Sequence, residues 1–396
     1  MGQGETSPQP ADRSGAVTQV LRLRRLDAWA LRVAIARPVE TSFGIMRDRP
    51  AVFVRVEDAS GAFGFGEIWC NFPACGAEHR ARLAAEEIAP LFAGREFASP
   101  RAAFRELSAR VHVRVLQTAE PGPYSQAIAG IDTALWDLCA RAAGKPLRRL
   151  LADGAADAVP AYASGIHVGL GPAVIAEARG RGFRAFKVKV GFGHDADVAG
   201  IERVRPEIRP GERLFADANQ AWRLEQALDF TAAVREAGLG WLEEPLPADA
   251  PAQDWVRLAR DGGVPLAAGE NMMGEDTFRA AAATGALAFI QPDMAKWGGV
   301  NGCLPAARAI LASGRTYCPH YLGGGIGLLA SANLLAAVGG PGLLEVDSNP
   351  NPLRAAFAPE TLDDGMFPLA DAPGLGVTEL PGDLARHVTV HRTWTA

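Results

Sequence analysis

Short β-rich runs recur through the second part of the chain at intervals of about 25 residues, with amphipathic helical stretches between them. These predicted strands are residues 161–166, 185–190, 213–218, 240–243, 265–269, 288–292, 316–319 and 342–346. Eight strands alternating with helices are typical of a (β/α)8 barrel. We therefore predict an α/β protein built around such a barrel.

The part of the chain before the barrel has a different pattern. Residues 21–58 alternate apolar and polar side chains, which predicts antiparallel strands, and helical periodicity dominates residues 78–144. Strands followed by a block of helices indicate a separate α+β domain. The first 17 residues are polar and rich in Ser and Pro, and we predict that this tail is disordered.

Composition excludes several classes of protein. The net charge of −5 argues against a nucleic-acid partner, which usually requires a basic patch. No apolar run reaches the roughly 18 residues of a membrane span, and the N-terminus lacks the order of a signal peptide. Five scattered cysteines favour free thiols in a reducing cytoplasm.

Ionisable residues close seven of the eight predicted strands. They are Lys187 and Lys189, then Asp217, Glu243, Glu270, Asp293, His320 and Glu345. In a barrel of this kind the chemistry lies at the C-terminal ends of the strands. The sequence therefore predicts an active site formed by these side chains.

Three of these carboxylates, Asp217, Glu243 and Glu270, end consecutive strands. Their negative charges cannot lie together unless something neutralises them, and oxygen ligands of this kind suit Mg²⁺. The alternative is a ring of carboxylates paired with neighbouring lysines, without a metal ion. We predict the magnesium site.

Two predicted acid/base groups flank these carboxylates. Lys189 ends the second strand, and we expect Lys187 and the metal charge to lower its pKa. His320 ends the seventh strand, and Asp293 on the neighbouring strand is placed to fix its tautomer. A metal flanked by two bases suits the removal of a proton α to a carboxylate.

The carboxylate of the substrate needs ligands as well. We expect Glu345, if protonated, to hydrogen-bond one of its oxygens, and Lys187 to add positive charge. Ser164, at the end of the first strand, is a further candidate for holding this group.

Together these residues resemble the mandelate racemase family of the enolase superfamily. The matching motifs are Lys187-x-Lys189, Asp217-Ala-Asn219, Glu243-Glu244-Pro245, Gly269-Glu270-Asn271, Pro292-Asp293-Met294-Ala295-Lys296-x-Gly298-Gly299, His320 and Glu345. The resemblance implies Mg²⁺ on the three carboxylates, with Mn²⁺ as a substitute, and catalytic roles for Lys189, the His320–Asp293 dyad and Glu345. It also implies that Lys296 supports a metal-site carboxylate and that Asn219 lies at the substrate.

The same resemblance implies a modified TIM barrel with an N-terminal α+β capping domain, completed by the C-terminal segment. The expected divisions are the tail 1–17, the capping domain 18–145, the barrel 146–365 and the C-terminal segment 366–396. Two cap loops, around 40–47 and 69–74, would cover the substrate. Trp69 and Phe72 would then exclude water, and Arg47 would meet a distal anionic or hydroxyl group. Proteins of this kind often assemble, so a homo-oligomer is expected.

Three alternative functions fit the sequence less well. Residues 325–330 fit a G-x-G-x-x-A dinucleotide pattern, but they open a barrel helix instead of a βαβ half-domain. The glycines at 323–325 are expected to let the loop pass near the substrate or to donate N–H groups to it. A barrel glycosidase needs a second carboxylate across the site, where this chain has His320. A non-catalytic scaffold predicts losses at the strand ends, and there are none.

The predicted function is therefore the Mg²⁺-dependent removal of the α-proton of a hydroxylated carboxylate. We expect the product to be the 2-keto-3-deoxy acid that forms when an acid sugar loses its β-hydroxyl. Racemisation or epimerisation of a 2-hydroxy acid is the alternative. The partner is a small-molecule carboxylate, with neither nucleic acid nor membrane involved, and the location is cytoplasmic.

Overall fold

The computed structural model describes residues 19–396, so the predicted disordered tail lies outside the described residues. Within them, no helix is both long enough and apolar enough to cross a membrane.

The N-terminal part is an antiparallel sheet covered by helices. Its strands are β1 (Leu23–Thr41), β2 (Gly44–Asp58) and β3 (Phe63–Ile68), and its helices are α1 (Gly76–Arg82), α2 (Pro100–Thr118), α3 (Pro121–Ala142) and α4 (Leu147–Leu151). The last strand of the chain, β13 (Val388–Thr395), pairs antiparallel with β1, which gives the order β13–β1–β2–β3. The C-terminal segment therefore completes this sheet.

Residue alternation in β2 explains how the sheet joins the rest of the protein. Val52 and Val54 belong to the core under the N-terminal helices, whereas Ala51 and Phe53 belong to the core shared with the barrel. Successive side chains of a strand point to opposite faces. Odd-numbered residues of β2 therefore face the barrel.

The barrel strands run parallel and alternate with helices. The strands are β4 (Ala158–His167), β5 (Ala185–Lys189), β6 (Arg213–Asp217), β7 (Leu242–Glu243), β8 (Leu266–Ala268), β9 (Leu287–Ile290), β10 (Thr316–Tyr317) and β11 (Leu344–Asp347). The helices are α5 (Gly171–Gly180), α6 (His194–Val204), α7 (Leu224–Ala233), α8 (Ala252–Asp261), α9 (Glu275–Thr284), α10 (Gly299–Ala312) and α11 (Gly325–Val338), followed by α12 (Pro352–Ala355). Their hydrogen-bonded order is β10–β9–β8–β7–β6–β5–β4–β11, and β12 (Met366–Pro368) adds antiparallel to β4. The predicted fold class is confirmed.

The ends of this order, β10 and β11, meet without a ladder of backbone hydrogen bonds. Leu343 N–H instead donates to Sγ of Cys318 at 3.4 Å, and Gly342 lies directly against the carbonyl of Tyr317. A side chain at position 342 would collide with that carbonyl. Glycine therefore lets the two ends approach closely.

Aromatic side chains fill the barrel below the strand ends. Phe215 and Trp241 stack with ring centroids 3.5 Å apart, and Tyr162 meets both rings edge-on. All three are buried. They form a packed floor under the predicted site.

The β1–β2 hairpin crosses the open end of the barrel. Near its tip, Ser42 Oγ donates to the carbonyl of Asn219 at 2.9 Å, just beyond β6. Further along β2, buried Arg49 forms an ion pair with Asp347 at the end of β11. Because β5 and β4 lie between β6 and β11, the hairpin covers this side of the barrel mouth.

The glycine run at the start of α11 has a structural partner. The N–H groups of Gly324 and Gly327 both donate to the buried carboxylate of Glu67 on β3, the latter at 2.8 Å. The expectation that glycines 323–325 serve the substrate is therefore wrong for Gly324, whose N–H is used in docking the cap. Burial raises the pKa of Glu67 to about 7, against the lowering effect of these N–H donors.

Candidate active site

The predicted strand-end residues do converge at the C-terminal ends of the barrel strands. Lys187 is their central cation and is completely buried. Its Nζ contacts an oxygen of Glu243, lies 2.9 Å from Glu345 Oε1 and 3.5 Å from Asp217 Oδ2. Burial alone would lower the pKa of Lys187, but the surrounding carboxylates hold it well above its ordinary value.

Lys189 lies one step further along β5, on the same face as Lys187. Its Nζ is 2.5 Å from Asp217 Oδ2 and donates to Asn219 Oδ1 at 2.8 Å. Burial opposes the charge of the amine, but the Asp217 carboxylate outweighs it and the pKa of Lys189 is raised. This direction is opposite to the expected one, because Asp217 binds this ammonium directly and outweighs the repulsion from Lys187.

His320 is linked to Asp293 as expected. Its Nδ1 lies 2.8 Å from Asp293 Oδ2, and its Nε2 lies 2.8 Å from Glu270 Oε2 and 3.7 Å from Glu345 Oε2. Burial would lower the pKa of His320, yet Glu270 and Glu345 raise it well above its usual value. The imidazole is therefore held in its protonated form.

Lys189 and His320 stand on different sides of the barrel. In the strand order, β4 and β11 separate β5 from β10 on one side, and four strands separate them on the other. Each side chain ends its strand at the mouth. A small molecule between them would meet an amine on one side and an imidazole on the other.

Lys296 holds the third predicted ligand. Its Nζ lies 3.1 Å from Glu270 Oε1 and 3.0 Å from Asn271 Oδ1, and it stands 4.7 Å from the centre of the Trp69 ring. Burial would raise the pKa of Glu270, but His320 and Lys296 lower it well below its ordinary value.

Glu345 is held at both oxygens. Ser164 Oγ donates to Oε1, and the backbone N–H of Tyr321 donates to Oε2 at 3.3 Å. Burial opposes ionisation, but Lys187 lowers the pKa of Glu345. In this arrangement Glu345 is ionised, so its role as a donor requires a proton that it does not carry here.

Sequence reasoning missed two neutral donors. Gln291 Nε2 and Trp241 Nε1 both donate to Glu243 Oε2, at 2.7 Å and 3.2 Å. Both are buried; Gln291 directly follows β9, and Trp241 directly precedes β7, the strand that carries Glu243. Sequence reasoning passed over them because neutral side chains give no charge signal.

Non-glycine residues with left-handed backbone follow two of these strands. Asn219 has φ 45° and Glu244 has φ 41°. Such conformations cost free energy and gather at functional sites, where the surroundings impose them. Here they turn the chain sharply after Asp217 and Glu243.

The donor set suits a hard divalent cation. Among the described residues, no three His, Cys, Asp or Glu side chains stand close enough to hold a metal, and lysine and histidine side chains contact the oxygens of the three predicted ligands. Counted as fully ionised, the six carboxylates nevertheless face only three lysines and His320, which leaves a formal charge of −2. The carboxylates are Asp217, Glu243, Glu244, Glu270, Asp293 and Glu345, and the lysines are Lys187, Lys189 and Lys296.

Two further observations support this fit. Oε2 of Glu244 is buried without a hydrogen-bond partner among the described residues. Burial raises the pKa of Glu243 to about 7 and that of Glu244 to about 8, and a cation beside them would favour their ionised forms. One divalent cation would balance the cluster.

The residues expected to set specificity differ in how they are placed. Trp69 and Phe72 form an aromatic wall with ring centroids 6.4 Å apart, and Phe43 from the hairpin tip meets Phe72 at 5.2 Å. Arg47 is exposed and has no ion pair with any described residue. Arg49, two positions on and on the same face of β2, is buried and pairs with Asp347 at the end of β11.

Comparison with known proteins agrees with this architecture. Residues 173–380 match the family "Enolase C-terminal domain-like", and residues 26–152 match "Mandelate racemase / muconate lactonizing enzyme, N-terminal domain". The chain is 29% identical to D-galactarolactone cycloisomerase from Agrobacterium fabrum, over 86% of this chain and 92% of the relative. It is 27% identical to arabinonate dehydratase from Saccharolobus solfataricus, over 89% and 91%.

Two crystal structures are also similar. A mandelate racemase/muconate lactonizing enzyme from Bordetella bronchiseptica RB50 shares 50% identity, with a TM-score of 0.88 over 93% of this chain and all of the other. A racemase from Streptomyces coelicolor A3(2) with bound magnesium shares 26%, with a TM-score of 0.81 over 93% and 100%. Together with the strand-end carboxylates, lysine pair and His320–Asp293 dyad, these matches show that the chain belongs to the mandelate racemase/muconate lactonizing enzyme family of the enolase superfamily.

Proposed function

We propose that this protein is a Mg²⁺-dependent lyase that dehydrates an acid sugar to a 2-keto-3-deoxy acid. The observation that carries the proposal is the placement of Lys189 and the His320–Asp293 dyad on different sides of one barrel mouth, beside a cluster of carboxylates with excess negative charge. Proton removal and proton donation can then occur on opposite sides of one small molecule.

Asp217, Glu243 and Glu270 would hold the Mg²⁺ ion, and Mn²⁺ is a chemically similar substitute. When bound, the ion supplies positive charge that stabilises the oxygens of the substrate carboxylate as they gain electron density. Lys187, at the centre of the cluster, contributes further positive charge at the same place.

The α-proton is taken by Nζ of Lys189 in this proposal. Asn219 Oδ1 accepts a hydrogen bond from this amine at 2.8 Å and so orients it. To act as a base, Lys189 must first be deprotonated, and Asp217 opposes this step because it raises the pKa of the ammonium group. Glu345, supported by Ser164 and Tyr321, is positioned for the substrate carboxylate and becomes a donor once it is protonated.

The departing β-hydroxyl is protonated by His320. Asp293 holds its Nδ1 at 2.8 Å, and the carboxylates of Glu270 and Glu345 raise the pKa of the imidazole and favour its protonated form. This imidazolium is therefore an acid ready to assist a leaving group. Curated relatives include both a dehydratase and a cycloisomerase, which supports this reaction class without identifying the substrate.

Racemisation or epimerisation of a 2-hydroxy acid is the second candidate. The same observation favours it, since acid/base groups on two sides allow a proton to leave one face and return to the other. Trp69 and Phe72 would exclude water in either reaction.

One experiment separates these functions. The Mg²⁺-loaded protein is incubated in D₂O with a library of acid sugars and 2-hydroxy acids, and products are followed by NMR. We expect a 2-keto-3-deoxy acid from at least one acid sugar. Deuterium at the α-carbon of recovered substrate, with inversion and without keto acid, would identify a racemase or epimerase. Absence of both from every compound would contradict the proposed chemistry.

We also propose that the chain acts as a homo-oligomer in the cytoplasm, without a nucleic-acid or membrane partner. Val113 and Leu116, both 65% exposed on the outer face of α2, offer an apolar surface for self-association. All five cysteines are free, as in proteins of a reducing compartment. Light scattering coupled to size-exclusion chromatography measures the oligomeric state, and a monomer at every concentration would contradict it.

A further inference from the structure

Arg49 is a cationic side chain of the cap that is almost completely buried at the barrel mouth, with 1% of its surface exposed. Its Nη2 pairs with Asp347 Oδ2, whereas Nη1 is buried without a hydrogen-bond partner among the described residues. A buried donor without an acceptor is unfavourable, and most such groups in proteins are satisfied. An oxygen from a ligand would satisfy this one.

The charges around Arg49 favour the same kind of ligand. Arg354 Nη1 also approaches Asp347 Oδ2, at 3.5 Å, so two guanidinium groups share one carboxylate. The other oxygen of Asp347 accepts hydrogen bonds from the backbone and side chain of Asn349. The cluster therefore has more donors and more positive charge than its own acceptors use.

This cluster adjoins the residues that would bind the substrate carboxylate. Glu345 and Asp347 are two positions apart on β11, so their side chains share a face. Ser164, which donates to Glu345, is in register with Asp347 on the neighbouring strand. Two residues of strand span about 6.5 Å, close to the reach of a carbon chain of about five bonds.

A cavity also adjoins this cluster. It has a volume of about 400 Å³ and lies between the cap and the end of β4, lined by Arg37 and Glu40 from the cap and by Gly165, His167 and Asn349 from the barrel. That volume is typical of sites for small ligands. Two of its lining residues, Gly165 and Asn349, lie against Asp347, the ion-pair partner of Arg49.

We propose that Arg49 is a substrate-binding residue whose Nη1 donates to an oxygen at the distal end of a five- or six-carbon sugar acid. This inference rests on the proposed function, because it places the carboxylate of the substrate at Glu345. Arg49 thereby takes the place that sequence reasoning assigned to Arg47. The cap hairpin would thereby favour long substrates over short ones.

The test compares two probes of different length. D-Gluconate has six carbons and reaches the distal site, whereas L-lactate has the same carboxylate and 2-hydroxyl but ends at three carbons. Their affinities for the Mg²⁺-loaded protein are measured by titration calorimetry. Arg49→Lys keeps the charge that Asp347 needs but loses the forked guanidinium. Arg55→Lys is the matched control, since Arg55 lies on the same face of β2 and pairs with Glu57 away from the mouth.

We expect Arg49→Lys to weaken D-gluconate binding at least about tenfold and to leave L-lactate binding unchanged, while Arg55→Lys changes neither. Thermal unfolding of each variant shows whether the fold is kept. If Arg49→Lys does not fold, the same comparison with Arg49→Gln decides. Equal loss for both probes would show a structural role and overturn the proposal. Unchanged D-gluconate binding, or no binding of D-gluconate to the parent protein, would overturn it too. The D₂O experiment fails or succeeds independently of these affinities.

Discussion

Three of the four lysines in this chain are buried at the strand ends, each against a carboxylate. They are Lys187, Lys189 and Lys296, whereas Lys145 is exposed and stands 3.7 Å from Asp153. The chain contains 36 arginines in all, so most of its positive charge is carried by arginine. Lysine can lose its proton in a protein and arginine effectively cannot, so residue choice follows chemical need here.

Substitution of Lys189 tests that distinction. We expect Lys189→Arg to lower the rate of α-proton exchange at least about a hundredfold, nearly as much as Lys189→Ala, because arginine keeps the charge but cannot accept the proton. Exchange into D₂O is measured by NMR. Lys145→Arg is the control and should be indistinguishable from the parent protein. Near-normal exchange in Lys189→Arg would show that this lysine acts only through its charge.

At the scale of elements, local patterns predicted much and long-range contacts little. Strand periodicity placed Asp217 and His320 at the mouth, because the parallel strands of a barrel end at one face. The contact of Arg49 with Asp347 joins residues 298 positions apart, and no local pattern encodes that distance. The partner of Gly324, Glu67, likewise lies on a distant strand, so the sequence did not indicate that this N–H docks the cap.

The docking of β3 on the start of α11 predicts a pH dependence. Glu67 titrates near pH 7 in the folded protein and lower when unfolded, so the folded state binds this proton more tightly. The Glu67 contribution to the free energy of unfolding therefore falls as pH rises from about 4.5 to about 7. The free energy of unfolding of Glu67→Gln, measured relative to that of the parent protein, should therefore rise by about 2 to 3 kcal/mol between pH 5 and pH 8.

Urea unfolding at both pH values measures this difference. Glu78→Gln is the control, because hydrogen bonding from Arg32 lowers the pKa of Glu78 to about 2 and its titration lies below this window. A Glu67→Gln difference that is equal at pH 5 and pH 8 would contradict the buried, high-pKa carboxyl.

At the scale of the whole molecule, excess negative charge couples stability to cation binding. A ligand that binds only the folded state stabilises it, by about 2.7 kcal/mol at one hundred times its dissociation constant. For a protein of this size we expect Mg²⁺ to raise Tm by about 3 °C. Calorimetry with Mg²⁺ and with EDTA measures the shift. Asp217→Asn should remove it and Glu225→Gln, on the exposed side of α7, should keep it. A Tm unaffected by Mg²⁺ in the parent protein would argue against a site on these carboxylates.

The pairing of β13 with β1 has a consequence for synthesis. Arg25 pairs with Thr395, so β1 gains this neighbour only when a strand that follows the whole barrel has been made. While the ribosome is still translating, the edge of β1 has no partner, and its unpaired N–H and C=O groups are open to other strands. The cap sheet is therefore completed only after every strand of the barrel has been made. Deletion of β13 would therefore leave the edge of β1 permanently open.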